Sequence, residues 1–409
     1  MNAVAPRWRW LGQPRFWIVL GLLVRIVHLL SLGNRYYFGD TVEYEQVALR
    51  MLHGVQQGGA NPRLPGYPLL LAFSFWIGGE ENFAVARLIH LLLSVVQMGL
   101  VVRMARRLGG EPAAAMAAPV VALAPTLVFV TGLLYPTLLY STVLMALTML
   151  AWEIADRPTV LRGVLFGALV VAGLLTDMVI VAPVLGIGTW LLVTGRRHGA
   201  RLVPALAAAA LSTVILAAPY VMLERSQGRD RVFMAKAQAV LHSARSDAEL
   251  SRDRWIKVPP DEPFEPLKPG AFVAHEFRLF LAQPVAFLHD YLLELLHFFK
   301  PLVDRVTSKN RYNTLPVLVV GAAWFVALLS LSMVGLLAGA GPLRGRLLLA
   351  TVVLSTAVFY SFFFTQARYR IPVEPQLITL AALGMASAFP RFSRSLAEAG
   401  AEPAPSHAS

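Results

Sequence analysis

The residues best suited to chemistry lie in one polar stretch, residues 34–68, early in the chain. Its first part, NRYYFGD, ends on Asp40, and Glu43 follows one turn later. A carboxylate beside an incoming nucleophile can accept its proton, so both acids are candidate general bases, with Asp40 the main one. The last part, NPRLPGYP, sets Arg63 and Tyr67 among prolines that restrict the backbone. We take these two as candidate substrate-binding residues.

The same pair of acids has a purely structural interpretation. Residues 41–53 have one apolar and one polar face and are followed by Gly54, which predicts a short surface helix. Asp40 and Glu43 then fit an Asp-x-x-Glu capping box at its start, with Asp40 or Thr41 as the N-cap. A capping aspartate needs no further role. The pattern leaves both interpretations open.

Arginines are the second kind of candidate. Arg368 and Arg370 flank Tyr369 in QARYRIPVEP, at the start of the last apolar block. The forked guanidinium group matches the oxygens of a phosphate, and the N-terminus of a helix also favours an anion. Arg63 offers the same chemistry from the first polar stretch. These positions are therefore candidates for binding a phosphate, with Tyr369 beside them.

Each arginine also has a structural alternative. Arg63 can be a solvated loop residue, or it can pair with a carboxylate such as Glu43 or Glu80. The two C-terminal arginines, with the tyrosine between them, fit an interfacial belt at a membrane surface. Glu374 lies one turn further on and is placed to orient Arg370.

Two further positions are candidates for substrate binding. Asp177 interrupts the apolar sequence LLTDMVIVAP. An ionisable residue inside a membrane segment suggests function, but at a turn it can be solvated or cap the next helix, and we prefer that interpretation. Arg87 and His90 lie near the start of the second apolar block. They line a cavity there, or they pair with Glu80 and Glu81.

Other motifs are missing, and their absence excludes several kinds of chemistry. The chain has no cysteine, which excludes disulfides, thiolate nucleophiles and cysteine-based zinc sites. It has no HExxH sequence, no glycine-rich phosphate loop and no serine–histidine–aspartate order. We therefore expect no cofactor, and no divalent metal is indicated. The turn Tyr135-Pro136-Thr137 is interpreted only as a helix breaker.

The composition is that of a polytopic membrane protein. Hydrophobic residues make up 56% and charged residues 15% of the chain, whereas soluble domains have about 25% charged residues. The net charge is +12, but most arginines form short clusters between apolar blocks. That pattern indicates membrane topology rather than nucleic-acid binding.

About ten apolar blocks are long enough to cross a bilayer with varying tilt. They predict an all-α membrane protein with about ten transmembrane helices. The blocks are residues 16–32, 84–102, 113–130, 137–151, 160–175, 178–193, 202–222, 315–337, 347–364 and 371–388.

The arginine clusters predict the orientation of these helices. With the N-terminus in the cytoplasm, every cluster is cytoplasmic, in agreement with the positive-inside rule. The clusters are Arg103, Arg106 and Arg107; Arg157 and Arg162; Arg196, Arg197 and Arg201; Arg344 and Arg346; and Arg391 and Arg394. The basic N-terminus, with no small-residue cleavage site after it, predicts a retained first helix rather than a signal peptide.

Two regions are then predicted to lie outside. Residues 34–82 hold the candidate acids, and residues 69–79 are too short to span and predict a second interfacial segment. Residues 224–314 are too long for a plain connection. They contain a polar helical run (residues 242–255), a proline-rich linker and the amphipathic run FLHDYLLELLHFFKP, which suits a helix in the membrane interface. No internal repeat is present.

The chain resembles the GT-C superfamily of integral-membrane glycosyltransferases. The similarity is to the bacterial family 39-like branch, which is related to protein O-mannosyltransferases and lipid A aminoarabinose transferases. The similar pieces are GDTVEYEQVALRMLHG, RLPGYPLLLAF, ARLIHLLLSVV ending in RMARRLGG, the paired segments GVLFGALVVAGLLT and MVIVAPVL, and ARYRIPVEPQL. Their order and spacing carry the resemblance, which extends over nearly the whole chain.

The resemblance implies one GT-C-like transmembrane domain over residues 1–409, in a bacterial cytoplasmic (inner) membrane. It implies a polyprenyl-phosphate-linked sugar as donor and a glycan, lipid or protein as acceptor at the outer face. Asp40 would be the base of a single inverting displacement. Arg63, Arg368 and Arg370 would bind the phosphate that leaves with the lipid, and residues 224–314 would cover the acceptor site.

The chain departs from the family pattern at three places. Thr41 and Val42 follow the acid where relatives often have a second acid, Thr137 stands where many have a glutamate, and Asp177 where many have an arginine. Sugar and acceptor therefore stay open. The alternatives are a lipid-linked sugar flippase or other transporter and a non-catalytic envelope-assembly protein. Transporters usually show internal symmetry and polar residues at mid-membrane, whereas the polar residues here collect at the predicted outer helix ends.

Overall fold

A computed structural model of the chain describes residues 10–35, 40–55, 63–80, 82–226, 232–247, 251, 253–259, 264–301 and 315–400. Its α-helices are α1 (Pro14–Leu32), α2 (Thr41–Leu52), α3 (Gly66–Gly78), α4 (Phe83–Leu123), α5 (Pro125–Gly132), α6 (Thr137–Asp156), α7 (Val160–Thr176), α8 (Val181–Thr194), α9 (Leu202–Ser226), α10 (Val232–Ser246), α11 (Pro269–Ala282), α12 (Pro284–Phe298), α13 (Leu315–Ala338), α14 (Leu343–Ser361), α15 (Glu374–Ala388) and α16 (Pro390–Gly400). A 3₁₀ segment, Ala367–Val373, leads into α15.

The prediction of an all-α polytopic membrane protein is confirmed. Seven helical stretches of the described residues are long and apolar enough to span a membrane, and the bent pair α11–α12 would make eight. The predicted count of ten differs for two reasons. The helix α4 is 41 residues long, has a backbone break at Gly110 with φ 73°, and contains one predicted block and the first part of the next, which continues into α5. The helices α7 and α8 are shorter, with 17 and 14 residues.

The centre of the bundle is formed by α4, α6 and α15. The helix α4 packs against α1, α6 and α15, and α13 packs against α15. Small residues allow this close approach: a Cβ at Gly335 of α13 or at Gly384 of α15 would collide with the partner backbone. Close backbone contact is a common way for helices to associate in a membrane, where burial of apolar surface gives little preference for a partner helix.

Arginines from three of the predicted clusters meet at one end of the bundle. Arg103 forms an ion pair with Glu153 at 2.6 Å, Arg162 lies 3.8 Å from the same acid, and Arg344 lies 4.0 Å from Asp156. Both acids are in the last turn of α6, a helix of 20 residues that begins at Thr137. At 1.5 Å per residue, α6 is about 30 Å long. We call the end with these ion pairs the basic end and the end at Thr137 the cavity end.

The first polar stretch folds at the cavity end. The helices α2 and α3 pack against each other, and a cluster of buried side chains joins them to the start of α4 and to Leu134. The segment predicted to be interfacial is the 13-residue apolar helix α3. The tyrosine-rich turn before Asp40 and the proline before Arg63 lie outside the described residues.

The second polar region, which we call the covering segment (residues 232–301), contains α10, α11 and α12. The predicted polar helix over residues 242–255 is confirmed for residues 242–246, where α10 ends, and residues 248–250 and 252 lie outside the described residues. Further on, the backbone N–H groups of Trp255 and Ile256 donate to the Asp290 carboxylate. The predicted amphipathic run forms α12, but its buried face carries Asp290, Glu294 and Phe298, while Leu288, Leu292 and Leu296 are exposed.

One buried arginine was not anticipated. The side chain of Arg25, in the middle of α1, is fully buried. It donates to the carbonyl oxygens of Ala122 at 2.7 Å and Val121 at 3.3 Å, near the end of α4. These carbonyls lack helical donors because α4 ends at Leu123 and Pro125 has no N–H group. The arginine therefore satisfies a helix end inside the bundle.

We predict that Arg25→Met destabilises the protein, because it leaves buried carbonyl groups without a donor. The cost expected for such a group is about 1–3 kcal/mol. Thermal unfolding of the purified protein in detergent would measure it as a lower Tm. The matched control is Arg15→Met, at an exposed position of the same helix, which should leave the Tm nearly unchanged. Equal shifts for both variants would contradict the assignment.

Candidate active site

A cavity of about 460 Å³ lies at the cavity end of the bundle. Its walls come from α2, the loop before α3, the turn between α5 and α6, the start of the 3₁₀ turn after α7, α10, the end of α14 and the 3₁₀ segment before α15. Six of the nine predicted site residues line it. They are Asp40, Glu43, Arg63, Asp177, Arg368 and Tyr369.

The capping-box interpretation of Asp40 is wrong. Asp40 occupies the N-cap position, but its backbone is already helical (φ −63°, ψ −18°) and its side chain makes no capping hydrogen bond. Its Oδ2 atom instead faces Nη1 of Arg368 at 3.5 Å. The hydroxyl of Thr41 donates to the carbonyl oxygen of Leu134 at 3.1 Å and ties α2 to the neighbouring turn. The helix start therefore points the Asp40 carboxylate into the cavity.

Glu43 pairs with Arg63, as the structural alternative predicted. Arg63 Nε donates to Glu43 Oε2 at 2.7 Å, and an Nη2 contact adds to it. The Arg63 side chain is 8% exposed, and its guanidinium carbon lies 4.9 Å from the centre of the Tyr44 ring. Burial and the aromatic contact fix the arginine, so Glu43 is held beside it.

Tyrosines surround the second arginine. The Arg368 guanidinium carbon lies 5.4 Å from the Tyr369 ring centre and 5.9 Å from that of Tyr135. Tyr360 stacks on Tyr369 at 4.6 Å, and Tyr44 packs edge-on against Tyr135 at 5.5 Å. Tyr135 and its turn line the cavity, although the sequence suggested only a helix breaker. The available signal was an aromatic residue directly before a proline at a helix end.

Burial keeps two tyrosines of the cavity wall, Tyr44 and Tyr135, in their neutral form. It raises the pKa of Tyr44 above its usual range, although the positive charge of Arg63 opposes this shift. Burial likewise raises the pKa of Tyr135 well above its ordinary value. Both hydroxyl groups thus keep their protons at neutral pH. The formal charges that line the cavity belong to three carboxylates and two guanidinium groups.

Asp177 combines the two roles considered for it. Its Oδ1 atom accepts a hydrogen bond from the backbone N–H of Val179 at 3.1 Å, which caps the short 3₁₀ turn Met178–Ile180. Its Oδ2 atom accepts from the Tyr360 hydroxyl at 3.2 Å. The carboxylate is therefore a helix cap that also faces the cavity.

Three predicted site residues do not line the cavity. Tyr67 is buried, and its hydroxyl lies 3.2 Å from His90 Nε2. Arg87 donates to the backbone carbonyls of Gly33 and Arg35, so it joins α4 to the end of α1. Because these partners are a buried histidine ring and backbone carbonyls, Tyr67 and Arg87 connect parts of the fold.

The third of these residues is Arg370. It donates to the backbone carbonyls of Lys300 and Pro301, and its guanidinium carbon lies 3.6 Å from the centre of the Phe325 ring. The structure thus ties Arg370 to the end of the covering segment instead of the cavity. Arg370 follows Arg368 by two residues in a 3₁₀ turn, where the two side chains point in different directions.

The acids weighed as alternative partners also have defined positions. Glu374 is fully buried and accepts a hydrogen bond from the Thr126 hydroxyl. Glu80 pairs with His53 at 3.0 Å instead of an arginine, and Glu81 lies outside the described residues. Among the described residues, no group of three or more histidine or acidic side chains is placed to hold a metal ion.

Comparison with known proteins identifies the fold. A family model described as dolichyl-phosphate-mannose-protein mannosyltransferase matches residues 61–222. The structure is similar to that of ArnT from Cupriavidus metallidurans bound to undecaprenyl phosphate, with a TM-score of 0.60 and 17% identity. It is also similar to the archaeal oligosaccharyltransferase AglB from Archaeoglobus fulgidus in complex with an inhibitory peptide and a dolichol-phosphate, with a TM-score of 0.54 and 14% identity.

The similarity extends over almost all of this chain but only part of the other two. It covers 93% of this chain and 62% of ArnT, and 95% of this chain and 52% of AglB. No curated protein matches the chain by sequence. Since both structural neighbours are GT-C glycosyltransferases, the chain has the GT-C fold of integral-membrane glycosyltransferases.

Proposed function

We propose that this protein is a glycosyltransferase that moves a sugar from a polyprenyl-phosphate donor to a glycan, lipid or protein acceptor. The observation that carries the proposal is the content of the cavity. It contains two arginine–carboxylate pairs, Arg368 with Asp40 and Arg63 with Glu43, in a protein of GT-C fold. Guanidinium groups bind phosphate, and a carboxylate can accept the proton of an attacking hydroxyl group. The ArnT neighbour was solved with a polyprenyl phosphate, the carrier proposed here.

Asp40 is the carboxylate that we assign as the base. The Glu43 carboxylate is engaged by Arg63 at 2.7 Å, and Asp177 caps a turn and binds a tyrosine hydroxyl. The contact of Asp40 with Arg368 is longer, 3.5 Å, at the limit of a hydrogen bond. A loosely held carboxylate is better able to accept a proton than one whose lone pairs are occupied by strong donors.

The reaction is then a single displacement at the anomeric carbon of the donor sugar. The acceptor oxygen attacks this carbon and forms the new glycosidic bond, while its proton passes to the Asp40 carboxylate. The bond from the anomeric carbon to the phosphate oxygen breaks, and that oxygen keeps the electron pair. The lipid phosphate leaves, and the configuration at the anomeric carbon is inverted.

Arg368 and Arg63 stabilise the charge that develops on the leaving phosphate. A guanidinium group has five N–H donors, so Arg368 can bind Asp40 and a phosphate oxygen together. The tyrosine rings exclude water around both arginines, which strengthens the attraction in the transition state. Arg370 is not part of this proposal, because its described partners are backbone carbonyls.

The location we propose for the reaction is the outer face of a bacterial inner membrane. The basic end of the bundle faces the cytoplasm if the positive-inside rule applies, and the cavity lies at the other end of α6. The helix α10 contributes Ala239, Val240 and Ser243 to the cavity wall. The covering segment thus forms part of the wall around the site where we propose that donor and acceptor meet. We propose that both termini are cytoplasmic.

We predict that Asp40→Asn abolishes transfer in membranes supplied with labelled polyprenyl-phosphate sugars, at equal amounts of folded protein. Loss of a general base lowers the rate by about 10²–10⁴-fold. The matched control is Glu80→Gln, an acid of the same region that pairs with His53 away from the cavity, and it should stay active. Full activity of Asp40→Asn would assign the base elsewhere. No transfer by the native protein from any donor pool would favour a transporter or scaffold.

Glu43→Gln tests the division of roles between the two acids. We predict a smaller loss, because the amide oxygen can still accept a hydrogen bond from Arg63 and only the charge is removed. The expected decrease is about tenfold, which corresponds to a charge-assisted hydrogen bond weakened by about 1.4 kcal/mol. The same transfer assay measures it. A loss as large as that of Asp40→Asn would show that both acids are essential.

Arg368→Ala should reduce kcat by about 10²–10³-fold, since it removes a donor to the developing phosphate charge. Arg368→Lys should recover only part of the activity, because an ammonium group lacks the fork of the guanidinium. The assay is initial transfer rate against donor concentration. Arg50→Ala is the control, since Arg50 lies on α2 and does not line the cavity. Equal rates for Arg368→Ala and Arg50→Ala would contradict the phosphate role.

A further inference from the structure

Arg368 is carried by a part of the chain with little secondary structure of its own. Helix α14 ends at Ser361 and the 3₁₀ segment begins at Ala367, so residues 362–366 form an irregular connection. Phe363 and Phe364 of this connection line the cavity together with Arg368. The position of the arginine therefore depends on what holds the connection in place.

A single side chain of the covering segment, Glu294 of α12, binds the connection at Thr365. The backbone N–H of Thr365 donates to Glu294 Oε2 at 2.6 Å. The Thr365 hydroxyl lies 2.6 Å from the same oxygen and 2.7 Å from the Glu294 carbonyl oxygen. Three short contacts thus fix the residue that precedes Arg368 by three positions.

The other carboxylate oxygen of Glu294 is bound by Arg254. Arg254 Nη2 donates to Glu294 Oε1 and also to the backbone carbonyl of Phe363 at 3.0 Å. Both side chains of the ion pair are almost fully buried, at 4% and 3% exposure. A buried pair of charges requires this full set of partners, because either charge alone would be costly away from water.

We infer that Glu294 is a positioning residue for Arg368, acting through Thr365, and that Arg254 keeps Glu294 in the required orientation. This inference rests on the proposed function and deepens it by naming how the phosphate-binding arginine is held. It also assigns a role to the covering segment, which supplies both residues. Glu294 does not line the cavity itself.

The test uses two double variants of the full-length protein in membranes. Arg254→Met/Glu294→Leu removes the charges and both side-chain contacts with Thr365, while the contact of the Thr365 hydroxyl with the backbone carbonyl of residue 294 remains. Arg254→Met/Glu294→Gln removes the same charges but keeps an amide oxygen that can accept from Thr365. Both variants lose the Arg254 donor to the Phe363 carbonyl, so the comparison between them isolates the contact with Thr365. Neither variant leaves one buried charge without its partner, so both are expected to fold. Arg245→Met/Glu276→Leu is the matched control, because that ion pair joins α10 to α11 with hydrogen bonds of 2.9 Å.

Hydrogen exchange of peptides that cover residues 362–369 provides the first readout. Exchange should become faster only in Arg254→Met/Glu294→Leu, the leucine variant. It should stay near the native rate in Arg254→Met/Glu294→Gln, the glutamine variant, and in the control. The second readout is transfer: the leucine variant should lose about 10- to 100-fold, since displacement of a catalytic group by about 1 Å costs rates of this size. The glutamine variant should retain most of the activity.

A double-mutant cycle that combines the leucine variant with Arg368→Ala distinguishes an effect on the position of Arg368 from a general loss of structure. If Glu294 acts through Arg368, the leucine variant costs little further activity once Arg368 is absent. Additive losses, equal losses in the leucine and glutamine variants, or unchanged exchange of residues 362–369 in the leucine variant would each overturn the inference. If the native protein transfers no sugar, the proposed function fails, and the exchange comparison alone decides whether Glu294 holds the connection.

Discussion

The fold depends on how a largely apolar bundle satisfies its buried guanidinium groups. An arginine that is withdrawn from water needs acceptors for its donors, and this protein uses two kinds. Arg25, Arg87 and Arg370 donate to backbone carbonyls at the ends of helices. Arg63, Arg254 and Arg368 bind carboxylates, and Arg254 also donates to the backbone carbonyl of Phe363. Three arginines thus join helix ends through backbone carbonyls, and three pair with acids.

Among the arginine–carboxylate pairs, the solvent exposure of the carboxylate differs between the cavity and the buried pair beside it. The Arg254–Glu294 pair is buried on both sides, whereas the side chains of Asp40 and Glu43 are 33% and 49% exposed. A carboxylate that opens into a cavity is accessible to a ligand, whereas one that is enclosed by protein is not. The same type of ion pair thus occurs both in the wall of the cavity and in the buried protein next to it.

The covering segment and the bundle contribute jointly to the site. The helix α10 forms part of the cavity wall, α12 holds the connection before Arg368, and Arg370 binds the carbonyls that follow α12. These contacts connect residues that are far apart in the sequence. Thr137 and Asp177 also line the cavity. The fold is shared with ArnT and AglB, while the polar groups of the cavity come from several separate parts of this chain.

Much of the architecture followed from the sequence alone. Apolar blocks must lie in helices, because a backbone inside a membrane has to satisfy its hydrogen bonds internally, and each of the ten predicted blocks is helical over most of its length. Arg103 and Arg344, from two of the short arginine-rich loops, both pair with acids in the last turn of α6. The first polar stretch was also visible as a group of charged residues in an otherwise apolar part of the chain, and Asp40, Glu43 and Arg63 from it line the cavity.

Only the tertiary structure decided which polar residues meet. Local spacing suggested that Asp40 is a helix cap. It also suggested phosphate binding for both Arg368 and Arg370, because neighbours in sequence carry the same local signal. The structure separates the two arginines, since a 3₁₀ turn directs one side chain into the cavity and the other to the end of α12. Tyr135 and the Glu294–Thr365 contact join parts of the chain that are distant in sequence. Periodicity and charge report each element's environment, whereas a site depends on the distances between elements, which packing alone determines.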